Sequence, residues 1–279
     1  MRRQGKKDGF SVLELLAMVA IIGVLVWLLV PYVRRVMENA HQQKGHKCLQ
    51  GIAQAYNKYI NDDLDGRRTI HPGDITQSNG EADYAQDGVQ WAVVLARRGY
   101  LNDPNKYCFS GDNQTSVVEQ NTIVKEGEPS ATSTDAWTRI DGQELEFSVY
   151  LVAGVPANAP FSTTPIAFSR GIPVDGKWPG KEGVYGAKGG WIAFLDGHVD
   201  WFDNLGTEEE GLLVKWNGGK TNDIRETLPS TCVILSASGI VAQGIGDRTK
   251  EATDVDESEG EHEAEPDFEG HGEDAPEAA

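Results

Sequence analysis

The chain has 279 residues, a formal net charge of -18 and 39% hydrophobic residues, enough for one or two modest domains beyond any membrane segment. Thirteen acids and no Lys or Arg lie between Glu251 and Ala279, so that stretch carries most of the net charge. No basic stripe occurs outside the flanks of the first apolar run, so nucleic acid is not an expected partner.

The N-terminus holds the densest information. A basic segment (Arg2, Arg3, Lys6, Lys7) ends at Gly9, and Phe10 follows. Glu14 stands four residues further on, just before an apolar run from Leu15 to Val33 that is long enough to span a bilayer. A carboxylate in hydrocarbon costs several kcal/mol unless it finds a partner, so an acid placed there points to function. A secretory signal would have a shorter apolar core and a small-residue cleavage site, which Trp27–Tyr32 does not offer. An uncleaved anchor explains the length but neither Gly9-Phe10 nor Glu14.

This segment resembles the class III signal sequence of type IV prepilins and type II secretion pseudopilins. The resemblance implies cleavage between Gly9 and Phe10 by a prepilin peptidase and methylation of the new Phe10 amine. Glu14 then becomes the fifth residue of the mature chain and pairs with the N-terminal amine of a neighbouring subunit. A buried cation and a buried anion relieve each other where neither alone is tolerable. Pro31 falls where pilin helices often carry a helix-bending proline. The implied partners are the peptidase, other pilin or pseudopilin subunits in a filament, an assembly platform, an ATPase and the membrane. The expected location is the cytoplasmic (inner) membrane, single-pass, with the C-terminal part extracytoplasmic. Arg34 and Arg35 weaken the charge asymmetry across the span, so this orientation rests on the resemblance more than on charge.

The helix is expected to continue to about Asp62. Leu49, Ile52, Ala53, Tyr56, Tyr59 and Ile60 recur at the three-and-four spacing of a face lying on a core. Gly45 and Gly51 weaken it by about 1 kcal/mol each relative to Ala. Asn61–Gly66 superficially resembles the start of a calcium loop, but Pro72 stands where the bidentate Glu belongs, and Asp and Gly also simply end helices. A second helix is expected over Asp83–Gly99, a turn at Asn102–Pro104 and loop over Glu126–Trp137. Strands are expected within Glu144–Val152 and Thr164–Ser169, with loop over Gly171–Gly190.

Two alternating runs flank Asp196-Gly197, a strong hairpin signal. A two-residue turn there places Ile192, Phe194, Val199 and Trp201 on one face. Phe194, Asp196, Gly197, His198, Val199 and Trp201 resemble the C-terminal signature of large prepilin-like proteins, a histidine, nine residues, then Asp-Gly. The first histidine of that pattern falls at Gly186, so its role is in doubt here. His198 and Asp200 share a strand face and would be able to co-ligate a metal; a turn Asp and a strand-edge His explain the same letters, and no metal or cofactor is expected. No Gly-x-Ser-x-Gly elbow, His-Glu-x-x-His helix or phosphate loop occurs, so an enzyme is not expected.

Past the hairpin, Gly206–Trp216 reads as a short helix or strand. Thr231–Leu235 and Gly239–Ala242 read as a last strand pair. Three cysteines leave at least one unpaired; a Cys48–Cys108 bridge is favoured because both lie in the N-terminal half of the domain, with three buried thiols as the alternative. The acidic end has no apolar period and is expected to be a disordered, solvated tail, with calcium buffering as the alternative. The expected architecture is α+β and pilin-like, a long N-terminal helix packed on an antiparallel sheet. Its parts are a leader (1–9), a membrane segment (10–33), a globular domain (34–248) and the tail (249–279). The alternative to a filament subunit is a membrane-anchored binding module that does not polymerise.

Overall fold

The computed structural model describes residues 12–62, 68–79, 82–109, 112, 123 and 146–248, without the side chain of Glu14. The leader with Gly9 and Phe10, most of the calcium-like loop, the Glu126–Trp137 loop and the acidic tail lie outside the described residues.

Helix α1 runs unbroken from Val12 to Asn61, 50 residues, so it is roughly 75 Å long at 1.5 Å per residue. Pro31 lies inside it and withholds one backbone N–H from the carbonyl of Trp27 without ending the helix. Every described side chain from Val12 to Ala40 is exposed, although most are apolar. The first buried residue is Gly45, and from there Leu49, Ile52, Ala53, Tyr56, Tyr59 and Ile60 form the expected buried face. The helix is thus a bare apolar stem with a buried root. By length and composition it can cross a membrane.

The root packs on a six-stranded antiparallel sheet. Its strands are β3 (Val149–Ala153), β4 (Pro165–Ser169), β5 (Gly190–Phe194), β6 (Val199–Phe202), β9 (Val233–Ser236) and β10 (Gly239–Gln243), in the order β10-β9-β3-β4-β5-β6. The register aligns Leu151, Ala167, Ala193 and Val199 on one face and Tyr150, Phe168, Ile192 and Asp200 on the other. The first face meets α1, because Trp191 on that side lies with its ring centroid 4.8 Å from that of His46. Trp178, from the Gly171–Gly189 loop, covers the other face beneath Gly190, where a β-carbon would come within 2.5 Å of the indole. The expected α+β layering, strands 165–169 and the last strand pair are present.

Three expectations need correction. The second helix, α2, spans Gly88–Arg97 rather than Asp83–Gly99. Asp83–Ala85 instead form β2, which pairs in parallel with β1 (Ile70–Pro72). The true start signal is Asp87, whose carboxylate accepts the Gln90 N–H at 2.7 Å and caps the helix. Strand β3 begins at Val149 because the preceding Ser148 N–H donates to the Tyr107 carbonyl at 2.9 Å, outside the sheet. Leu213–Val214 is a short strand, β7, paired with β8 (Lys220–Thr221).

The third correction concerns the hairpin. The tip is a three-residue loop, Leu195-Asp196-Gly197. Gly197 N–H donates to the Phe194 carbonyl at 2.9 Å, and Phe194 N–H donates to the His198 carbonyl at 3.0 Å. Gly197 has φ +95, the left-handed position that this bulged turn requires. Compared with a two-residue turn, every pair shifts by one residue. Trp191 therefore faces Trp201 and Ile192 faces Asp200. Ile192 and Phe194 do not share a face with Val199 and Trp201.

Candidate functional site

Two regions hold the residues singled out by sequence. Glu14 lies in the first turn of α1 and Pro31 seventeen positions later, on the bare stem. The hairpin residues lie at the far end of α1's root, where the Asn57 amide donates to the Leu195 carbonyl at 2.9 Å. The structure does not bring these two groups together.

At the hairpin, the chemistry is that of a turn. Asp196 accepts the His198 N–H at 3.0 Å, and its carboxylate also meets the His198 ring Nδ1. The imidazole stacks on Phe194 with centroids 4.3 Å apart, and its Nε2 is 3.8 Å from the Asp200 carboxylate. Among the described residues no group of three His, Cys, Asp or Glu side chains is arranged to hold a metal. Val199 and Trp201 lie on the face toward α1, where Trp201 meets Trp191 and Tyr185, each at 5.2 Å between centroids. Gly186, at the position of the signature's first histidine, begins a single 3-10 turn to Lys188.

That turn leads to the junction that sequence reasoning missed. The loop before β5 reaches down to the stem. Tyr185 crosses over Gly45, where any β-carbon would collide with the phenol oxygen. The glycine that weakens α1 in isolation is therefore what allows close approach. Three residues later Lys188 donates to Glu38 at 2.5 Å, across 150 residues of sequence, and this pairing holds the Glu38 carboxyl below its ordinary pKa. Glu38, His41, Phe109, Asp112, Tyr185 and Lys188 line an open cleft of about 230 Å³. Burial pushes the Tyr185 phenol well above its ordinary pKa.

Behind the cleft is a buried ion pair. Arg170 Nη2 donates to Asp112 at 2.7 Å, with side chains 4% and 3% exposed. The same guanidinium donates to the carbonyls of Phe147 at 3.0 Å and Glu182 at 3.1 Å. The lone Arg following Ile166-Ala167-Phe168-Ser169 was a usable signal for a buried charge, but nothing local identified its partner.

All three cysteines are thiols in this structure. Cys48 Sγ–H donates to the Asn105 carbonyl at 3.7 Å, which places it against the segment that carries Cys108. Burial pushes the Cys108 thiol up to about 12, with smaller upward contributions from Asp112 and Cys48. Cys232 lies elsewhere, donating to the Gly154 carbonyl at 3.3 Å, and burial also raises it to about 12. Peptide mapping without reduction is expected to recover Cys48 joined to Cys108 and Cys232 as a thiol. Such a bridge typically contributes about 2–4 kcal/mol. Because thiolate is the reacting form, its formation by exchange with an added small-molecule disulfide, which is reduced as the bridge forms, is expected to speed up as pH rises through the alkaline range. Recovery of Cys108 joined to Cys232, or of three free thiols, counts against this pairing.

No family model, curated protein or solved structure matches this chain.

Proposed function

We propose that the protein is a structural, pilin-like subunit. It is cleaved and N-methylated by a prepilin peptidase and assembled into a filament of the type II secretion or type IV pilus kind. The single observation that carries this reading is the division of α1 into a bare apolar stem and a root buried on the sheet. The stretch from Val12 to Val33 is roughly 33 Å long, which suits a hydrocarbon core of about 30 Å. A stem of this kind is stored in lipid, and extraction into a filament exchanges lipid contacts for helix-to-helix packing. Glu14 then neutralises the Phe10 amine of the adjacent subunit. The assembly platform and its ATPase drive the exchange, with the head on the extracytoplasmic side.

Mass spectrometry of the mature protein is expected to find N-methylated Phe10 at its terminus. Gly9→Ala is expected to be processed better than bulkier replacements. An intact Met1 on the membrane-resident protein removes the reading. Purified filaments containing the chain separate this function from an anchored binding module. The cleft between Glu38 and Lys188 is the observation that favours the module, and ligand retention by the protein without any filament would establish it.

A further inference from the structure

Arg34 and Arg35 follow directly on the apolar run, one residue beyond Val33, and both are exposed. Glu38 is their natural neutraliser, because it lies four and three residues further along the same helix. The structure commits Glu38 elsewhere, to Lys188 of the head at 2.5 Å. Among the described residues neither arginine has an ion-pair partner. Within the described residues two guanidinium groups are therefore left without an anion at the level where a span of 22 residues leaves the hydrocarbon.

Guanidinium matches phosphate by paired N–H donors, more closely than an ammonium does. Tyr32, 68% exposed just below, adds an amphipathic ring at the same level. We infer that Arg34 and Arg35 bind the phosphates of anionic phospholipids in the leaflet beneath the head, and that the Lys188–Glu38 pair keeps them available. This inference rests on the reading that α1 spans a membrane. It gives the head loop an indirect hold on lipid. Breaking the Lys188 contact returns Glu38 to the arginines and competes with lipid.

The test uses the full chain reconstituted in mixed phosphatidylcholine and phosphatidylglycerol vesicles. The protein is extracted in mild detergent and its retained lipids are quantified by mass spectrometry. Wild type is expected to retain phosphatidylglycerol above its bulk proportion, by up to roughly fivefold per arginine. The leader's basic residues add the same background to every variant. Arg34→Gln with Arg35→Gln is expected to fall to that background. Lys188→Gln is expected to fall partway, and Glu38→Gln to stay at the wild-type level or above. Equal enrichment in wild type and the double arginine variant overturns the inference. So does salt-sensitive self-association in phosphatidylcholine alone that the double variant abolishes, since the anion then belongs to a second copy. Resistance to alkaline carbonate is read in parallel. Extraction of wild type by carbonate removes the span and this inference together, whereas resistance with unchanged enrichment removes the inference alone.

Discussion

Glu14→Leu is expected to be inserted and cleaved like the wild type, yet to enter filaments at a small fraction of the wild-type level. Glu14 belongs to the first turn of a helix whose described side chains are all exposed as far as Ala40. Among the described residues nothing of the sheet domain covers that turn, so the substitution is expected to leave the fold of the head alone. On the proposed assembly reading its effect falls on the subunit contact. Without the carboxylate, the amine of the adjacent Phe10 has no anion in an apolar setting, a loss of several kcal/mol in the worst case. An anchor that does not polymerise predicts no change, or slightly firmer retention in the membrane. Cleavage and filament incorporation, measured side by side for both proteins, decide the matter. Equal incorporation removes the assembly role of Glu14 and leaves the anchored module ahead.

The second large effect is on stability. Arg170→Met is expected to destabilise the head by about 3–5 kcal/mol, because a buried carboxylate loses its cation. The carbonyls of Phe147 and Glu182 lose a donor as well. Urea denaturation of the full chain in detergent, followed by tryptophan fluorescence, measures it. Arg170→Lys is expected to recover little, since one ammonium cannot reproduce three donors aimed in different directions. Arg170→Met combined with Asp112→Leu is expected to recover most of the loss, because a well-packed apolar pair is often as stable as a buried ion pair. A single-variant cost below about 1 kcal/mol would show that the pair contributes no more than an exposed one.

What the sequence made legible was local. The stem, the buried spacing from Leu49 to Ile60 and the hairpin at Asp196-Gly197 each rest on periodicities within one element. The parts that were not legible depend on one-residue decisions or on distance along the chain. Asp83–Ala85 had helical neighbours but pairs with Ile70–Pro72, and only the Asp87 cap marks where α2 begins. At the hairpin, Asp-Gly fits either a two-residue turn or the last two positions of a bulged three-residue loop. The choice between them moves every side chain of β6 to the opposite face. The Glu38–Lys188 and Asp112–Arg170 pairs join residues 150 and 58 positions apart, and no local pattern announces such partners. Gly45 was read by its intrinsic cost, whereas its use lies in the ring that passes over it.

The continuity of α1 ties rotation to spacing. The apolar stretch and the buried root share one helical axis, and only about a dozen residues separate Val33 from Gly45. Each residue of an α-helix advances 1.5 Å and turns about 100°. The compass bearing of the sheet relative to the side of the helix that carries Glu14 is therefore fixed by the count of residues between them. One residue more or fewer in that interval leaves the height of the head almost unchanged and swings it through more than a quarter-turn. With the head's contacts on the root unchanged, chain length in the neck thus sets the direction each head faces about its own helix.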